Sequence, residues 1–176
     1  MELRVFVFLV FLAYGSGTLG GLANALVQAA FELVGLNKVM GVTLNPLHPY
    51  KVAWLYNKMV WGGMWGAVHL IPFTWPHYLI RSIFFGLIVS TVHCAIVFPA
   101  QDGGLFASKY GDAAFVIVYI TDAAWAIVSG IAFFTLRKWF FKERAPSTAF
   151  AYTGASYGAA GTESINRVSA VDPLLP

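Results

Sequence analysis

Residues 113–136 read AAFVIVYITDAAWAIVSGIAFFTL, and this run decides the fold class. It is long enough to cross a bilayer core as a helix, which takes about 20 mostly apolar residues. Its one charge is Asp122, with Ile120 before it and Ala123 and Ala124 after it. The run lacks the in/out alternation that a membrane barrel strand needs. Three more stretches of the same kind precede it, at about 5–34, 52–73 and 78–98. The sequence therefore predicts an all-α, polytopic membrane protein. Its residues 1–144 form a four-transmembrane-helix bundle with a long first helix, and a flexible C-terminal tail follows.

Composition agrees. Of 176 residues, 59% are hydrophobic and 11% charged, against about 25% charged in an ordinary soluble domain. Such a chain cannot coat a small soluble globule with polar groups, and it is too apolar to be disordered. The net charge of +3 comes with no basic patch interleaved with aromatics, so nucleic acid is not an expected partner. Cys94 is the single cysteine, which excludes an intrachain disulfide or a CxxC metal site. In its apolar run it reads as a small buried hydrophobe.

The first stretch is longer than a span requires. From Val5 to Val34 a helix would measure about 45 Å against about 30 Å of hydrocarbon. It must tilt, break at Gly15–Gly17 or Gly20–Gly21, or project into water. A cleaved signal over the first 15–20 residues is the competing reading, but the apolar pattern runs on without a polar break. Pro72 and Pro76 bracket a turn, Asn45–Pro49 predicts another, and Pro99 with Gln101–Gly104 closes the third span. Residues 145–176 are rich in Ala, Gly and Ser and form a polar, cytoplasmic tail that cannot order itself by apolar burial.

Orientation follows from Lys and Arg near the span ends. Arg4, Arg81, Arg137, Lys138, Lys142 and Arg144 fall on one side, with both termini. Lys38, Lys51 and Lys109 fall on the other. The expected location is a bacterial inner (cytoplasmic) membrane with both termini in the cytoplasm. Trp54, Trp75, Trp139, Tyr50, Tyr78 and Tyr110 sit where an interfacial aromatic belt would.

Small residues recur at helix spacing: Gly17 with Gly21, Gly62 with Gly66, and Ala126 with Gly130. Helices in lipid associate through close backbone approach, so these pairs predict packing faces. The faces serve either the bundle itself or docking to other membrane subunits.

The sharpest chemical signal is charge inside the bilayer. A central Asp costs about 2.5–3.5 kcal/mol on insertion scales, so Asp122 must face protein or water and have a partner. Counted from the non-cytoplasmic edge, Asp122 lies about 13 Å deep, Lys58 about 9 Å and His93 about 8 Å. These three form the expected intramembrane charge cluster. An Asp122–Lys58 ion pair is the simplest arrangement, with His93 or Tyr119 as a further hydrogen-bond partner. Asn24, Gln28 and Glu32 share one face of the first span. They read as a solvated or headgroup-facing stripe, or as the lining of a vestibule near Lys58.

No cofactor is called for. His69 and His93 lie at opposite depths, and His69 and His77 are separated by a tight turn, which is a poor haem cage. No metal site is expected without cysteines or a carboxylate cluster. There is no GxSxG or HExxH, so no catalytic residues are assigned. The expected function is a non-enzymatic integral membrane protein, an accessory or structural subunit of a larger membrane complex. Its expected partners are the lipid bilayer and other membrane subunits or copies of itself. The alternative is a small ion or proton-coupled transporter or channel working through Asp122, Lys58 and His93.

Overall fold

A computed structural model describes residues 2–43, 51–71 and 77–142. Among them 87% are helical and none forms a strand. Helix α1 spans Leu3–Leu33, the single turn α2 Leu36–Val39, and α3 Val52–Trp65. α3 continues as a 3₁₀ segment, Gly66–Leu70. Helix α4, Tyr78–Val92, runs through a π turn, His93–Val97, into α5, Phe98–Ala100. Helix α6 spans Ala114–Lys142. Three helices are long and apolar enough to cross a membrane: α1, the continuous Tyr78–Ala100 helix, and α6. The turns expected around Pro72–Pro76 and Asn45–Pro49, and the tail 145–176, lie outside the described residues.

Helix α1 shows why these helices associate. Its buried residues are Leu12, Ala13, Ser16, Gly17, Gly20, Gly21, Asn24 and Ala25. They form a double stripe at four-residue spacing, and nearly all of them are small. Its large apolar side chains, Phe6, Phe11, Leu19 and Leu26, point outward and stay exposed. This is the reverse of a soluble amphipathic helix: small residues make the interface and large ones coat the outside. The helix is unbroken across both glycine clusters and ends at Gly35, whose φ of 73° turns the chain.

The glycine pairs meet each other inside the chain. A Cβ added at Gly62 would come within 2.7 Å of both the Gly17 carbonyl oxygen and the Gly21 Cα. Gly66 sits against Ala13 and Gly17, and Gly21 against Lys58. The pairs 13–66, 17–62 and 21–58 run in opposite directions, so α1 and α3 are antiparallel. Ala126 faces Gly86, and Gly130 faces Ser82, which joins α4 to α6 in the same way. Ser82 and Ser90 donate their hydroxyls to the carbonyls of Tyr78 and Gly86 at 2.9 Å, one turn back. Both thus pack as small residues without leaving a polar atom unpaired.

The helices alternate in direction. α1 lies between α3 and α6, and α6 lies between α1 and α4, while α3 and α4 have little direct packing. At the far end the two connections cross. Thr43 N–H donates to the Tyr110 carbonyl at 2.7 Å, and Val42 packs with Ala107, Ala114 and Ile117.

Several boundaries differ from the sequence expectation for physical reasons. The second stretch is α-helical only to Trp65 and then tightens to 3₁₀, ending at Leu70 rather than residue 73. The third does not stop at Phe98. Pro99 lacks an N–H, and its ring would clash with the Ala95 carbonyl in a regular helix. The π turn immediately upstream shifts that carbonyl, and the helix passes through Pro99 to Ala100. Trp54, expected in the interfacial belt, is instead buried at 9% exposure and turned into the bundle.

Candidate functional site

The space between α3 and α4 is a cavity of about 220 Å³, walled by all four long helices. Asp122 on α6 stands in its wall, 3% exposed. Both carboxylate oxygens are taken. Asn24 Nδ2 of α1 donates to Oδ1 at 2.8 Å, and His93 Nδ1 of the π turn donates to Oδ2 at 2.9 Å. These contacts tie three helices together at one carboxylate. Both side chains line the cavity, that of His93 25% exposed and that of Asp122 5%. With Nδ1 on the carboxylate, Nε2 is the nitrogen left to exchange a proton.

Lys58 lines the same cavity. It lies near enough for the charge of Asp122 to act on it. The direct Asp122–Lys58 ion pair is not there, however: among the described residues, the pair of ionisable groups within 4.0 Å is His93–Asp122. Tyr119 is not a partner of Asp122 either; its hydroxyl bonds Thr91 Oγ1 at 2.9 Å. Asp122, Lys58 and His93 thus share one cavity, with a bond between only two of them.

The polar stripe of α1 divides. Asn24 is 5% exposed and bonded to Asp122, and Gln28 lines the cavity, while Glu32 is exposed. Asn24 and Gln28 line the cavity as the vestibule alternative has it, while Glu32 stays exposed as a solvated stripe would.

No protein-family model matches the chain, and no curated protein or solved structure matches it.

The cavity floor is aromatic. Trp125, 3% exposed, donates its indole N–H to the Gly17 carbonyl at 3.1 Å and to the Gly62 carbonyl at 3.2 Å. It locks α6 onto the α1–α3 crossing, where the glycines leave those carbonyls reachable. Trp65 meets His93 edge to face, with centroids 6.0 Å apart.

Beneath Trp125 lies a second polar layer that the sequence did not reveal as one. His69 is 2% exposed and stacked between Trp125 and Phe133, at 6.0 and 5.3 Å. Its Nε2 is 3.0 Å from Ser129 Oγ, whose own hydroxyl donates to the Ala126 carbonyl at 3.3 Å. Ser129 therefore accepts from His69, which fixes the Nε2–H tautomer. Arg81 was expected only as an orientation signal. It is 7% exposed, donates to the His69 carbonyl at 3.1 Å and to the Ile71 carbonyl, and lies over the rings of Phe85 and Phe134. It thereby satisfies carbonyls that the end of the 3₁₀ segment leaves without helical partners. His69 and His93 engage different groups in different layers, and among the described residues no three His, Cys, Asp or Glu side chains are placed to hold a metal ion.

Proposed function

We propose that the chain is a four-span integral membrane protein of non-enzymatic type that moves protons or ions through the cavity, with the bonded His93–Asp122 pair at its centre. The observation that carries this reading is the carboxylate–histidine pair set in the wall of an interhelical cavity that also holds Lys58. Ionisable groups at membrane depth are expensive, and where they face a cavity they mark ion and proton pathways.

The fourth span is α3 with its 3₁₀ extension. Fourteen α-helical and five 3₁₀ residues reach about 31 Å, enough for a hydrocarbon core of about 30 Å. Its antiparallel packing on α1 supports the same reading, as do the large exposed side chains Phe11, Leu26, Leu87, Ile96, Ile120 and Ile131 around the bundle. A soluble protein rarely leaves so much contiguous apolar surface in water. Arg4, Arg81, Arg137 and Lys138 gather at one end of the alternating helices, which supports cytoplasmic termini.

The accessory-subunit reading draws on the small-residue faces and on the tail. Gly17, Gly21, Gly62, Gly66, Ala126 and Gly130 are spent on contacts inside the bundle, so they offer no free docking face. The tail that would dock a partner lies outside the described residues.

The test is proton flux into liposomes that carry the purified protein, under a potassium-diffusion potential, read with an entrapped pH dye. Asp122→Asn should cut the flux by at least about tenfold while helicity and dispersity are kept. Wild-type flux from Asp122→Asn and from His93→Leu would refute the proposal.

A further inference from the structure

Resting on that transport reading, we propose that the cavity carries a small organic monoanion with a flat apolar body, held by the Lys58 ammonium between tryptophan walls. The charge count inside the cavity favours an anion. Its charged or ionisable lining groups are Asp122, His93 and Lys58. Asp122 has both oxygens occupied and is balanced by His93 when that ring is protonated. Lys58 is left over, with no carboxylate within 4.0 Å among the described residues. Trp65 adds an indole N–H, buried and without an acceptor among the described residues, while Asn24 Oδ1 and Gln28 Oε1 on the α1 side are buried acceptors without a donor. The donors without partners thus lie on α3, with Lys58 and Trp65, and a carboxylate is their natural acceptor.

Shape and wall chemistry set the body of the ligand. Trp54, Trp61, Trp65, Trp125 and Phe98 provide apolar faces around Lys58. A dry cavity of about 150 Å³ holds benzene, so 220 Å³ admits one ring with a carboxylate attached.

The same geometry couples anion to proton. An anion beside Lys58 is repelled less by Asp122 when His93 is protonated, so a bound proton strengthens anion binding, while proton passage itself needs no anion. The groups facing the His93–Asp122 pair are Lys58 from α3, Asn24 and Gln28 from α1, Thr121 and Trp125 from α6, and Cys94 on the π turn, which lies within reach of the Asp122 charge. Lys58 is the one cation among them besides the histidine.

The experiment uses benzoate as the probe and the full chain in nanodiscs, read by tryptophan fluorescence. Benzoate should quench saturably, while benzyl alcohol and benzylammonium should bind at least about tenfold more weakly, a gap of about 1.4 kcal/mol. Lys58→Met should weaken benzoate by at least about tenfold. Lys58→Arg, which keeps the charge, should hold benzoate close to wild type, and this separates lost recognition from lost folding. Any of three results overturns the proposal: no saturable benzoate quenching, equal binding of benzyl alcohol, or preference for benzylammonium. Proton flux through Asp122 is measured without benzoate, so failure of the anion leaves that reading to stand or fall separately.

Discussion

Gly15 and Gly17 sit two residues apart in α1, and replacing each by alanine should move stability in opposite directions. Nothing lies within 4 Å of a Cβ at Gly15. Alanine there adds helix propensity, by up to about 1 kcal/mol in water, and meets no neighbouring residue. At Gly17 the new methyl would contact the Gly62 carbonyl and lie 2.7 Å from Gly66 Cα and 2.9 Å from Gly66 N. These are backbone atoms, so no rotamer change can relieve them. Ordinary contact begins at 3.4 Å, and clearing the nearest atom, the Gly62 carbonyl oxygen, requires α3 to retreat by about 1.1 Å. Overpacking of this kind costs about 1–3 kcal/mol. The retreat also stretches the two hydrogen bonds from Trp125, and interhelical bonds in a bilayer average about 0.6 kcal/mol each. Gly17→Ala should lose about 2–4 kcal/mol, and Gly15→Ala should be neutral or gain slightly. Reversible unfolding by SDS titration in mixed micelles, followed by circular dichroism, reads both. Equal effects from the two variants would show that α1 and α3 do not interlock at this face.

Two further outcomes follow from the site and from the proposed topology. In a double-mutant cycle, Asp122→Asn and His93→Leu should couple by about 1–3 kcal/mol, because the side chains share a bond. The same cycle with Lys58→Met should couple more weakly, and detergent melting curves that rank the pairs the other way would restore the direct lysine pair. Reporter fusions placed after Phe141 and in the Gln101–Asp112 connection should read opposite sides of the membrane. The same side for both would defeat the proposed path of α6.

The helices were legible because each long apolar run has the length that a bilayer crossing asks for; α6 is recognisable from residues 113–136 alone. The ends were less so. The tightening of α3 at Gly66 and the passage of the chain through Pro99 depend on carbonyl geometry that composition does not record. Depth along a helix is also legible, since rise per residue is constant, and it puts Asp122, Lys58 and His93 at similar heights. Rotation about each axis is not legible from depth. That is why depth alone points to an Asp122–Lys58 pair, while the carboxylate bonds Asn24 and His93. The same blindness left Asn24 between two readings and left Gly17 and Gly62 without known partners. Arg81 and His69 were hidden for another reason: a charged or titratable residue near a span end reads as an anchor unless one sees the open carbonyls it caps or the rings it stacks against.

The π turn at His93–Val97 sets how this helix answers a change in residue count. Such a turn holds one residue more than the α-helical path between the same two ends. Losing any single residue from this window would let the segment relax into an ordinary helix, and the two ends would keep their places, with Ser82, Gly86 and Val89 before it and Gln101 after it staying where they are. The change is local. The wide turn that carries His93 to Asp122 closes, and a carbonyl returns against the ring of Pro99. A residue lost from the regular helix before the turn would instead rotate everything beyond it by about 100°. The same edit, a few positions apart, thus spares the cavity wall in one place and dismantles it in the other.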